Sequence, residues 1–125
     1  PRYQVPRMQI LRNLMWARVF ILKCELEDAY HCLKEGFEIG QRFSLPFYST
    51  DCCNLITGMM CDSIHNTAFA TDQNLLDAIR YGNYAISYYR KLGIENHRYL
   101  HDSVEKQEKL LTEWRTRHSS EPQLV

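Results

Sequence analysis

Apolar positions in the first part of the chain recur at three- and four-residue steps, at Met8, Leu11, Leu14, Met15, Val19 and Leu22. That period belongs to one side of an α-helix. It predicts a first helix over residues 6–23, with Pro6 in the opening turn, where the missing N–H does no harm. Ile10, Trp16, Phe20 and Ile21 are apolar as well. A helix apolar on both sides is expected to be covered on both, as in an inner element of a stack. A second helix is expected over 26–43. Ala29, Leu33, Gly36 or Phe37, and Gly40 share one face, and Glu27, Lys34, Glu35, Glu38 and Arg42 the other. Gly36 and Gly40 each lower helix stability by about 1 kcal/mol relative to Ala, which is tolerable where another helix must come close. Ser44, Leu45 and Pro46 are expected to end this helix.

The third helix is predicted over 49–64, capped by Ser49 or Thr50, and residues 65–73 read as a long connection. Thr71 or Asp72 should cap a fourth helix ending near Leu92, with Gly93 as its stop. Its tyrosines (Tyr81, Tyr84, Tyr88, Tyr89) suit a partly buried face with hydroxyls at the rim. A fifth helix over 96–117 carries a narrow stripe of Leu100, Val104, Gln107, Leu111 and Trp114. Asp102/Lys106 and Glu105/Lys109 lie four residues apart on its polar side. One apolar face and one broad polar face fit a terminal cap. The tail over 119–125 is expected to fray. No segment combines β-branched residues with strict alternation, so no sheet is predicted.

The chain also repeats itself. Residues 13–20 (NLMWARVF) recur as 54–61 (NLITGMMC), an offset of 41, while the LEDA of residues 26–29 recurs as the LLDA of 75–78, an offset of 49. The second copy therefore holds eight extra residues between its halves. A two-part unit recurring at such a period marks stacked helical hairpins, whose usual activity is binding other proteins.

Composition narrows the function. The 125 residues hold 15 basic and 15 acidic side chains, enough for one domain. Such balance argues against nucleic acid as a partner, which would call for an excess of Lys and Arg. The run from Val19 to Leu22 is far too short to span a bilayer, so no membrane partner is expected. The chain opens Pro-Arg-Tyr without a secretory signal, an opening expected of a segment with residues upstream. Five cysteines, an odd number, read as reduced thiols packed as small apolar groups in a cytoplasmic protein.

The paired hairpins resemble the tetratricopeptide repeat family. The resemblance rests on small residues where two antiparallel helices cross: Ala17 then Gly58 in the first helix of each pair, and Ala29 and Gly36 then Ala78 and Ala85 in the second. Phe20, and less well Cys61, is the bulky neighbour; Leu33 lies between the small residues in the first copy, but only Gly82 in the second. It covers roughly residues 8–93. The period exceeds the usual 34 or so, the closing proline is displaced and the second loop is long. These departures bring it nearer to the divergent repeats attached to large signalling or regulatory proteins.

What the resemblance implies is an all-α, right-handed stack of antiparallel helical hairpins, two repeats plus a C-terminal capping helix, in a domain over 1–118. The first hairpin would span about 6–43, the second about 49–93 and the cap about 96–117. First helices of such stacks line a concave groove. The repeat alignment places Leu11, Leu14, Arg18 and Ile21, then Cys52, Leu55, Met59 and Asp62 there. The family's carboxylate-gripping adaptors use Lys and Asn where Leu14 and Leu55 stand, so an apolar partner helix or peptide is the expected occupant, or else further repeats of the parent chain. The expected function is non-enzymatic: a protein-binding scaffold or regulatory module of a larger signalling protein, with no cofactor.

The alternative is a metal-dependent sensor or thiol enzyme built from cysteine and histidine. Cys61/His65 and His97/His101 are one helical turn apart and His31 adjoins Cys32, so each pair could offer two ligands to one ion. No closed four-ligand signature completes them, and no metal is expected. Cys52 and Cys53 fall near the predicted start of the third helix, where a thiol can be acidified. No Gly-rich loop or acid–base constellation accompanies them. Glu25, Glu27 and Asp28 read as favourable charges at a helix N-terminus.

Overall fold

A computed structural model of the chain describes residues 4–93 and 97–119. Among the described residues there are five helices and no strand: α1 (Gln4–Leu22), α2 (Leu26–Arg42), α3 (Pro46–Asp62), α4 (Asp72–Lys91) and α5 (His97–His118). Each helix packs on the next, α5 also packs on α3, and α1 touches α3 lightly. The result is an all-α stack of helical hairpins, α1 with α2 and α3 with α4, closed at one end by α5. None of the five is long and apolar enough to cross a membrane. Residues 1–3 and 94–96 and the tail expected to fray beyond residue 119 lie outside the described residues.

The small residues are where the helices meet. Ala17, Ala29 and Ala78 have no exposed surface, and Ala85 almost none. A Cβ on Gly36 would come within 2.9 Å of Cys52 Sγ, and one on Gly40 would overlap Ser49 Oγ and lie 3.2 Å from the Leu45 carbonyl oxygen. Both glycines thus let α2 and α3 approach backbone to backbone. Gly82 admits Gln107 of α5 in the same way, which explains why the second copy has glycine where the first has Leu33. Gln107 donates to the Ile79 carbonyl at 2.8 Å and to Asn83 Oδ1 at 2.9 Å. Gly58 differs. It is only half-buried, and a Cβ there would meet nothing nearer than Lys106 Nζ at 3.6 Å. It is not a crossing residue.

Pro46 opens α3 rather than ending α2. As the first helical residue it forfeits no hydrogen bond, so α3 starts three residues before the expected caps. Ser49 and Thr50 are consequently buried inside the helix, donating to the Phe37 carbonyl (3.1 Å) and the Pro46 carbonyl (2.8 Å). Thr71 does cap α4, accepting from the Asn74 N–H at 3.1 Å, and Gly93 ends it with φ +60°.

Most of the eight-residue insertion lies in the connection over 63–71, which is six residues longer than that over 23–25. It is no loose loop. Ile64, Phe69 and Ala70 are buried, and Phe69 packs edge-on against Tyr30, centroids 5.9 Å apart. Arg117 ties α5 to this connection, donating to the Ala70 carbonyl at 2.7 Å while pairing with Glu113 at 2.8 Å and Asp72 at 3.2 Å. On α5 the fully buried residue is Leu110, flanked by Ser103 and Gln107, with Leu100, Val104, Leu111 and Trp114 half-buried beside them.

Candidate functional site

The residues of the expected concave groove divide into three groups. Leu14 and Met59, like Cys52, are core residues with 4% exposure or less, so they are not open to a partner. Ile21 and Leu55 are half-buried and packed against that core. Leu11, Arg18 and Asp62 are exposed. Ile21, Met59 and Asp62 do converge, on a shallow pocket of about 350 Å³ that Leu26, His65 and Asn66 also line. Burial raises the Asp51 carboxyl of α3 while the Arg18 guanidinium of α1 pulls it back. Helix α3 leaves little of the groove because its neighbours take its surface. Asn54 donates to the Tyr89 hydroxyl of α4 at 2.8 Å and accepts from Ser103 of α5 at 3.2 Å.

Among the described residues, the exposed large apolar side chains gather mostly on the other side of α1. Ile10, Leu14 and Ala17 bury the inward line of this helix against α2 and α3, and Asn13 fixes it by donating to the Cys32 carbonyl and to Glu35. Directly opposite, Val5, Met8, Met15 and Leu22 form a line flanked by Leu11 and Trp16. Their exposures run from 45% at Leu11 to 85% at Leu22. With 1.5 Å of rise per residue, the strip from Val5 to Leu22 is about 26 Å long. Scattered surface hydrophobics are ordinary, whereas here six large ones share one strip. The two-sided apolar pattern of α1 announced a covered helix; among the described residues only one of its sides is covered. The strip was therefore written in the sequence, but which side was spare was not.

The thiols have a different environment from the one a nucleophile needs. Since α3 begins at Pro46, Cys52 and Cys53 sit well inside the helix, not in its first turn, and both are fully buried. Burial pushes the Cys52 thiol up to about 12, and burial raises Cys53 further still. Burial also raises Cys61, against the pull of Lys109 and Lys106. None of the three is a thiolate near neutral pH. All five cysteines are free. A disulfide-type thiol reagent should accordingly titrate exposed Cys24 within seconds and half-buried Cys32 more slowly, with Cys52, Cys53 and Cys61 reacting only in denaturant. A fast-reacting thiol on α3 would revive the thiol-enzyme alternative.

Of the Cys and His pairs weighed for the alternative, Cys61 is buried while His65 is exposed, and His31 is exposed beside half-buried Cys32. The side chain of His97 lies outside the described residues. Among the described residues, three potential ligands gather at His101, Asp102 and Glu105, all solvent-facing on α5, with ligand atoms within 4.8 Å of one another. No family model, curated protein or solved structure matches the chain.

Proposed function

We propose that the chain is a non-enzymatic protein–protein interaction module, of scaffold or regulatory type, that receives a partner helix along the outer face of α1. The observation that carries this reading is the uncovered strip of Val5, Met8, Met15, Trp16 and Leu22, opposite the line that α1 buries in its own core. Every interior helix of the stack has neighbours on two sides, whereas α1 has the same two-sided apolar character with one side left uncovered by the described residues. A further helix laid there extends the packing already used inside the fold. The resemblance to tetratricopeptide repeats supports the same class of activity. The pocket at Ile21, Met59 and Asp62 is a lesser surface, because Met59 is buried in the core and Ile21 and Leu26 are half-buried against it. Five free cysteines support a reducing compartment, with the cytoplasm as the working assignment.

The test is binding of a neutral amphipathic peptide with a leucine seam and glutamine flanks, together with a hydrophobic dye that the peptide should displace. Met15→Glu should weaken peptide binding by about tenfold or more, since a carboxylate in the contact strip loses its water on docking. Circular dichroism should remain unchanged, because Met15 is exposed. Undiminished binding by the Met15→Glu protein would mean the docking surface lies elsewhere.

A further inference from the structure

We infer that the partner laid on α1 is an acidic amphipathic helix that sets a carboxylate against Arg12. This rests on the docking reading above and adds the partner's charge and register. The whole chain is neutral, but α1 is not: it holds Arg7, Arg12 and Arg18 and no acidic residue, and Lys23 follows it. Val5, Met8, Arg12, Met15, Val19 and Leu22 alternate steps of three and four, the spacing of a helix–helix seam. Arg12 stands in the middle of that seam. It is exposed, and among the described residues it enters none of the ion pairs, which join Arg80 to Asp77, Arg117 to Glu113 and Asp72, and His118 to Asp72. Glu35 and Glu38 border the same pocket of about 370 Å³ as Arg12, and neither joins it in an ion pair among the described residues.

Covering Arg12 with an apolar surface alone would strip water from a guanidinium and give nothing back. A carboxylate opposite it restores that loss through a two-pronged hydrogen bond and sets the register of the partner helix. Lys23 follows the far end of the strip and favours an acidic position on the partner's edge. A second copy of this chain fits less well, because paired α1 helices would oppose Arg12 and Arg18 with no acidic residue on either. An anionic membrane fits less well too, since a helix lying on lipid keeps its cations off the midline of its apolar face.

The experiment uses the Trp114→Phe chain, in which Trp16 on the strip is the sole tryptophan, and follows its fluorescence. Three leucine-seam peptides are compared, with glutamate, glutamine or lysine at the flanks and at the seam position facing Arg12. The glutamate peptide should bind roughly tenfold or more tighter than the glutamine peptide, with lysine weakest, and salt should narrow the gap. Arg12→Glu should reverse the order, and Arg12→Leu should shrink it. Equal binding of all three overturns the charge inference and leaves the docking surface standing. Failure of all three overturns both. Binding to phosphatidylserine vesicles in preference to the glutamate peptide, or a concentration-dependent dimer that shields Trp16, likewise overturns the inference by giving the strip a different occupant.

Discussion

Gly40→Ala should destabilise the protein by about 2 kcal/mol, while Gly58→Ala should stabilise it by about 0.5–1 kcal/mol. Both are helical glycines with ordinary backbone angles, so on propensity alone both exchanges would favour alanine by up to about 1 kcal/mol. Space makes the difference. At Gly40 the new methyl overlaps Ser49 Oγ and crowds the Leu45 carbonyl oxygen. Ser49 has no exposed surface; turning its hydroxyl away breaks the hydrogen bond to the Phe37 carbonyl and leaves polar groups buried without partners. The Leu45 oxygen is backbone and can yield only if the α2–α3 turn opens. At Gly58 the methyl would touch the flexible end of Lys106 at 3.6 Å, an ordinary contact. Gly40→Val should go further and cost about 3 kcal/mol or more, a large fraction of the stability of a domain this size. Urea midpoints of the three variants against the parent decide the matter. A stabilising Gly40→Ala would mean that α2 and α3 do not close as described.

Raising the pH from 8 to 10 should remove about 3 kcal/mol of stability, through Cys52 and Cys53 alone. Burial lifts the folded Cys52 thiol from about 9 to about 12 and raises Cys53 in the same direction. In the unfolded chain both thiols ionise near pH 9; in the fold both keep their protons. The folded state therefore binds more protons above pH 9, so the stabilisation is complete below that pH and drains as the pH climbs toward the folded value. Each thiol removes about 1.4 kcal/mol per pH unit within the window. Burial also pushes Tyr81 up to about 12 and raises Tyr30, where Asp77 adds to the effect, so the decline steepens above pH 10. Urea midpoints across this range measure it. A flat profile between pH 8 and 10 would show that α3 does not bury its thiols.

Where helices form was largely legible in the residues, because their three- and four-residue periodicity is local. The helices predicted from about residue 26, from the Thr71 or Asp72 cap and from about residue 96 match α2, α4 and α5 closely, and most of the insertion lies between α3 and α4. Pro46 departs from its expected role because the residue that interrupts one helix is equally suited to begin the next. Gly58 departs from its expected role because alignment with Ala17 carries over a small residue but not its surroundings. The groove suffered most. Leu14 and Met59 have the period of a first-helix face, yet burial on that face depends on helices far away in sequence.

The chain's own pattern of apolar, small and capping residues determined that it would be a helical stack, where its helices would lie, and that α1 would be apolar on two sides. These follow from contacts within a few residues, which any reader of the sequence can count. Only the tertiary structure decided which of those two sides faces water, which glycines are wedged against a neighbour, and that the thiols of α3 are sealed from solvent. Each of these depends on where a distant helix comes to rest, and that is set by the packing of the whole stack.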